Sequence, residues 1–442
     1  MSAAISPHST PRLARGLRAA VAAGLLLLAA TGCGVGERDV ITVRFWNGFT
    51  GPDGRTMLRL VKRFNEENPD VRVLMQRMDW ATYYNKLFVA GMGGRGPDVF
   101  VIHADNLERF RLAEFIRPVD DLVRGPGGID EADFVENVWA AVGRDGVHYG
   151  VPLDVHLLGL YYNKALFREA GIVDAAGEAR PPATREEFMD ALERLTRDVD
   201  GDGRPDQWGL VFTWYRTNMV TLMSQWGGAF FTPDYAKCTV DCPENAAALA
   251  FCVGLIREKG FVPPPENFDS WVGFRQGKVG MAFEGIYMLA DLEKQTDLEY
   301  GAAPMPQLGE RPAAWASSHT LCLRQGLDDV HERAAWRFIA FLSDHSLDWA
   351  EGGQIPVRKS LLDSDRFRGM EAQAAFAERI PDIVYLPRVP FIFEFQTEFD
   401  AAIEKALRGS AAPAAALGEA TANIDAAVAR YNEMLAEAGR MP

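Results

Sequence analysis

From residue 40 onward the apolar positions fall into short continuous runs that take turns with longer stripes at helical spacing. Val40-Ile41-Thr42-Val43-Arg44-Phe45-Trp46 reads as a buried strand, and it ends in the glycine-bearing turn Asn47-Gly48-Phe49-Thr50-Gly51. Residues 58–64 carry apolar side chains on one helical face, and Asn68-Pro69 stops that helix. A strand over 71–75, a helix over 83–92 closed by Gly93-Gly94 and a strand over 96–102 follow. Strand alternating with helix predicts a parallel, doubly wound α/β sheet. Ligands bind such sheets beyond the carboxyl ends of their strands. That rule alone selects Trp46, Asn47, His103 and Asp105 as candidate contacts.

The pattern changes at His148-Tyr149-Gly150-Val151-Pro152, an extended run because a residue before proline is pushed out of the helical region. Leu160, Tyr161 and Tyr162 continue it as strand, and Asn163 turns the chain into a short helix that Gly171 can close. An extended crossing near the middle of a long α/β chain is what a hinge between two lobes requires. Further on, Thr184 with Glu187 forms a capping box at the start of a helix. Residues 209–212 read as strand, 219–226 as helix, 243–259 as a helix capped by Gly260, and 334–343 as an amphipathic helix.

Between residues 198 and 207, Asp198, Asp200 and Asp202 stand at relative positions 1, 3 and 5 with Gly203 at 6. This is the first half of an EF-hand calcium loop. The Arg204 carbonyl and Asp206 would follow at 7 and 9, but Gly209 at position 12 replaces the bidentate glutamate. Close carboxylates repel one another without a cation, so a structural Ca2+ is expected at Asp198, Asp200, Asp202, Arg204, Asp206 and Gln207, with a role in stability.

The order Gly150-x-Pro152, Leu160-Tyr161-Tyr162-Asn163-Lys164-x-Leu166-Phe167, Ala170-Gly171 resembles the first inter-lobe crossing of the carbohydrate-type extracellular solute-binding proteins (family 1) of ABC importers. Gln225-Trp226-Gly227-Gly228 is similar to that family's Trp-Gly-Gly signature, whose tryptophan commonly lines the cleft. Gly277-Lys278-Val279-Gly280-Met281 through Gly285-Ile286-Tyr287 resembles its Gly-Lys-x-Ala-Met motif, with Tyr287 where tryptophan is usual. Residues 315–320 resemble a second crossing and 354–358 a third, which makes Trp315 and Arg358 cleft candidates. The acidic loop is similar to that of alginate-binding members, which carry an acidic residue where this chain has Gln207.

The resemblance implies a type II periplasmic-binding-protein fold of two lobes, each a mostly parallel sheet flanked by helices. Residues 33–152 with 317–355 would form the first lobe, and 153–316 with 356–442 the second. It implies a sugar or oligosaccharide bound between the lobes and handed to ABC permease subunits. Trp46, Trp226, Tyr287 and Trp315 would stack on the sugar, and Asn47, Asp105, Asp154 and Arg358 would pair with its hydroxyls. The same fold holding an anionic solute such as glycerol phosphate is the alternative, and Arg358 is the cation that presents itself for it.

A length of 442 residues suits two cores better than one. The net charge of −15 and the absence of a basic stripe argue against nucleic acid as partner. Arg12, Arg15 and Arg18 precede an apolar run over 19–30 that is shorter than the roughly 20 residues a membrane span needs, so residues 1–32 read as a signal peptide. Leu28-Ala29-Ala30-Thr31-Gly32-Cys33 resembles a lipobox, which implies a diacylglyceryl anchor on Cys33 and an extracytoplasmic, membrane-tethered protein. Cys238, Cys242, Cys252 and Cys322 leave disulfide pairing open, although ten helical steps exclude Cys242 with Cys252. No nucleophile elbow, P-loop or zinc-type His/Glu motif occurs, and the seven histidines stand at no metal-ligand spacing, so no catalytic residue is expected.

Overall fold

The computed structural model describes residues 40–266 and 268–437. The expected signal peptide and Cys33 lie outside them. The strands build two separate sheets. The first has the order β2-β1-β3-β12-β6, from β1 (Ile41–Asn47), β2 (Val71–Arg77), β3 (Val99–His103), β6 (Val151–Pro152) and β12 (His319–Leu323). The second runs β13-β11-β7-β9-β8, from β7 (His156–Asn163), β8 (Trp208–Phe212), β9 (Val279–Gly285), β11 (Ala314–Ser317) and β13 (Ile383–Val384), with β10 (Tyr300–Ala303) also paired to β7. A two-stranded hairpin, β4 (Gly143–Arg144) with β5 (Val147–His148), stands beside the first sheet.

The sheets are mixed, not mostly parallel. β1 runs parallel to β2 and β3, but β12 is antiparallel to both β3 and β6. In the second sheet β7 is antiparallel to β9, β10 and β11, while β8 and β13 add parallel edges. The physical cause is the crossings: β7 and β12 enter their sheets from the other lobe, so neither arrives by the right-handed strand–helix–strand route that keeps neighbours parallel.

Local chemistry explains the elements that frame the middle of the molecule. Val43 and Phe45 of β1 face the core while Thr42 and Arg44 face out, the alternation of a strand covered on one side. The helix Pro52–Glu67 buries Leu60, Val61 and Phe64 against it, and Phe64 meets Phe338 edge-on at 5.0 Å. The helix Trp80–Met92 starts at Asp79, whose carboxylate accepts the Thr82 N–H. The expected cap at Thr184 is present, its hydroxyl accepting the Glu187 N–H at 3.3 Å.

Three chain segments connect the lobes and lie side by side. The first, Leu153–Val155 in the gap between β6 and β7, hydrogen-bonds the second through Leu153 N–H to the His319 carbonyl at 2.8 Å. Val155 and Ile355 exchange both backbone bonds, at 2.9 and 3.1 Å, which ties in the third. Gly150 permits this closeness, since a side chain there would strike Thr320 and the Leu321 carbonyl. Among the described residues no helix is long and apolar enough to cross a membrane, and Cys238, Cys242, Cys252 and Cys322 are all free thiols.

Candidate functional site

A cavity of about 290 Å³ opens between the lobes, where β3 of the first sheet faces β11 of the second. Trp80, Tyr84, His103 and Asp105 line it from the first lobe, and Arg216, Trp315, Ser317, Phe393 and Gln396 from the other side. Trp80 is one aromatic wall and Trp315 another. Gly48 makes room for that indole, because any Cβ at position 48 would overlap the ring. Trp80 then lies 4.4 Å from the His103 ring and parallel to His319, 8° off plane at 5.7 Å. Trp214 at the head of the helix Tyr215–Gln225 is 53% exposed, and its ring lies 6.5 Å from Tyr287.

Polar groups reach the cavity from both lobes. Asp105 accepts hydrogen bonds from the Ser317 hydroxyl at 3.4 Å and the Gln396 amide at 3.3 Å, so one carboxylate joins the two sides. Burial pushes its pKa up, and the Arg216 charge works against that rise. Arg216 is itself paired with Asp400, its Nε donating at 2.8 Å. Deeper, Glu284 is 1% exposed, and burial pushes its carboxyl up to about 7 despite hydrogen bonds from Gly285, Thr213, Trp214 and Tyr287.

Below the cavity lies a closed polar knot on Asp154. This residue is fully buried and accepts from His156 Nδ1 at 3.1 Å, the His319 N–H at 3.1 Å, His319 Nδ1 at 2.7 Å and Trp349 Nε1 at 2.6 Å. Burial alone would raise its pKa, yet His319 and His156 together hold it well below the ordinary carboxylate range. Burial is also the leading reason that the pKa values of His103 and His156 fall below the usual histidine value.

The structure brings together only part of the expected set. His103, Asp105 and Trp315 line the cavity, and Tyr287 stands 6.1 Å from His156. Asp154 holds the crossings together and has no acceptor capacity facing a ligand. Asn47 is fully buried and fastens the turn after β1, its carbonyl accepting the Phe49 N–H at 3.2 Å. Trp46 packs into the small core around Tyr83 and Phe100 instead of the cavity. Trp226 does not line the cavity: its ring sits 5.3 Å from Phe251 and 5.3 Å from the Arg185 guanidinium. Arg358 does not line it either, and donates to Asp133 at 2.8 Å and Asp344 at 2.7 Å.

Sequence reasoning missed Trp80, Tyr84 and Arg216, and also the meeting of three histidines it took as scattered. Trp80 and Tyr84 start a helix that follows β2, so the rule of strand ends could have pointed to them.

In the acidic loop, carboxylate oxygens of Asp198, Asp200 and Asp206 come within 4.8 Å of one another. Asp198 accepts the Gly201 and Gly203 N–H groups, and Asp206 those of Val199 and Asp200. Asp202 lies outside this group and accepts the Arg204 N–H, while the Gln207 amide donates to the Leu195 carbonyl.

Two mixed sheets, three crossings side by side and a polar, aromatic cavity between the lobes define a two-lobed solute receptor of the periplasmic-binding type. A family model of the bacterial extracellular solute-binding proteins matches residues 59–377, and the chain belongs to that family. It is 23% identical over 449 residues to the sn-glycerol-3-phosphate-binding periplasmic protein UgpB of Escherichia coli (strain K12), covering 94% of this chain and 96% of that protein. Its fold is similar to that of the sugar-binding protein MalE of Xanthomonas citri, with a TM-score of 0.77 at 22% identity, covering 89% of this chain and 99% of the other. It is also similar to the ABC substrate-binding protein Lmo0181 of Listeria monocytogenes, solved in complex with cycloalternan, with a TM-score of 0.76 at 20% identity over 88% and 100% of the two chains.

Proposed function

We propose that this protein captures a sugar or oligosaccharide between its lobes and delivers it to the permease of an ABC transporter. The observation that carries the reading is the cavity wall: Trp80, Tyr84, Trp315 and Phe393 with the polar trio Asp105, Arg216 and Gln396. Aromatic faces cover the C–H surfaces of a pyranose, and Asp105 and Gln396 accept and donate to hydroxyls that leave water. A hydroxyl buried without a partner costs roughly 1–3 kcal/mol, so polar groups on both lobes favour a ligand that bridges them. Such a ligand stabilises the closed arrangement by its differential affinity for it. A permease would read closure as occupancy.

The UgpB relative supports a second reading, an anionic solute such as glycerol phosphate. Arg216 is the cation lining the cavity, but Asp400 already neutralises it and Asp105 adds negative charge beside it. That balance favours a neutral saccharide. The protein acts by binding, tethered outside the cytoplasm by lipid on Cys33 once residues 1–32 are removed, and Ca2+ at Asp198, Asp200 and Asp206 steadies the loop after the helix Arg185–Leu195. A thermal-shift screen against a carbohydrate library, with glycerol 3-phosphate included, tests the ligand. A stabilising saccharide and no response to glycerol 3-phosphate is the expected result, and the reverse would replace the sugar by the anion.

A further inference from the structure

Three histidines from different strands meet beside the cavity. His103 ends β3, His319 begins β12 directly opposite it, and His156 begins β7. Their ring centroids stand 5.0, 4.4 and 5.5 Å apart. One ring nitrogen from each lies within 4.8 Å of the other two. A tetrahedral ion holding three imidazoles at 2.0–2.1 Å per nitrogen would space the centroids about 5 Å apart. The cluster already has that spread.

The hydrogen bonds decide which nitrogens remain for a ligand. Asp154 takes Nδ1 of His156 with one oxygen and Nδ1 of His319 with the other. An ionised carboxylate makes both Nδ1 atoms donors, so a ring that carries one proton keeps its lone pair on Nε2. Nδ1 of His103 stands 2.6 Å from the Tyr84 hydroxyl, which also accepts the His103 backbone N–H at 3.0 Å; with the proton on Nδ1 this ring too turns Nε2 to a ligand. None of the three Nε2 atoms has a hydrogen-bond partner among the described residues. A carboxylate or hydroxyl behind each imidazole is the second layer that orients histidines toward a metal.

We propose that His103, His156 and His319 form a transition-metal site of the zinc type at the inter-lobe crossings, with a fourth position open to water or to an oxygen of the captured solute. Three imidazole ligands suit Zn2+, Co2+, Ni2+ or Cu2+ and disfavour the oxygen-seeking Ca2+ and Mg2+. The site is therefore chemically distinct from the Asp198 loop. His148 takes no part: it pairs with Asp120 and stacks on Trp139.

The test uses the full chain freed of metal by chelator and titrated with Co2+. One equivalent should produce the intense visible bands of tetrahedral cobalt, and Zn2+ should displace it. His103→Gln should remove the bands and weaken Zn2+ binding by more than a hundredfold, Tyr84→Phe should weaken it by about tenfold, and Asp206→Asn should change nothing. Should the histidine variants misfold, X-ray absorption of the zinc-loaded wild type reads the ligands directly through imidazole scattering. A featureless cobalt spectrum, equal zinc affinity in folded His103→Gln, or zinc without imidazole scattering would overturn the site. Metal binding without saccharide binding would uphold this site and sink the ligand reading. Saccharide binding with no cobalt bands would do the opposite.

Discussion

His319 Nδ1 and Asp154 Oδ2 lie 2.7 Å apart, and this side-chain bond reinforces the backbone bonds that join the first lobe-to-lobe crossing to the second. The same carboxylate holds Trp349, so Asp154 fastens the crossings and the fully buried indole beside them. Asp154→Ala leaves a buried indole N–H and two imidazoles without their acceptor. Breaking a buried charged partner typically costs 3–5 kcal/mol, and a loss on the order of 3 kcal/mol in urea unfolding is expected. Trp349→Phe removes one donor and should cost less. A loss under about 0.5 kcal/mol for Asp154→Ala would show that the knot does not hold the hinge.

Trp214 and Trp226 separate the two roles a tryptophan can take. Trp214→Ala should weaken saccharide binding more than tenfold with little change in melting temperature, because half its surface is already in water. Trp226→Ala should leave affinity unchanged and lower stability by about 1–2 kcal/mol, through lost contact with Phe251 and Arg185. Calorimetric titration beside thermal unfolding reads both quantities. An affinity loss at Trp226 and none at Trp214 would reverse the assignment.

These two residues also show what the chain discloses before it folds. Strand–helix alternation, the turn after β1 and the three crossings are local patterns, and they predicted where His103 and Asp105 stand. The mixed sheets were not legible, because the direction of β12 depends on which lobe it returns from and not on its own residues. Trp226 and Arg358 carry motifs or charge suited to a cleft, yet their partners, Phe251, Asp133 and Asp344, come from elsewhere in the chain. The histidine cluster was hidden for the same reason: positions 103, 156 and 319 meet only through strand pairing across two lobes.

The acidic loop gives a metal prediction independent of the cavity. With Asp198, Asp200 and Asp206 oxygens already drawn together, added Ca2+ should raise the melting temperature of the wild type. At a hundredfold excess over the dissociation constant the gain is about 2.7 kcal/mol. Asp206→Asn should lose most of that response while saccharide affinity stays the same. An equal calcium shift in wild type and variant would place the ion elsewhere.

Glu284 supplies a pH signature. Its carboxyl is pushed up from 4.5 to about 7 by burial, so between those values the folded chain keeps a proton the unfolded chain has released. Stability from this group is therefore complete below pH 4.5 and lost as pH rises through about 7. The buried histidines slope the other way, since the unfolded chain takes up their protons as pH falls below 6.5. Wild-type unfolding alone mixes the two, and Glu284→Gln isolates the first. The difference in unfolding free energy, wild type minus variant, should fall between pH 5 and pH 8 by on the order of 3 kcal/mol, at about 1.4 kcal/mol per unit. Urea titrations across that range measure it. Parallel curves would mean that Glu284 meets water in the folded protein.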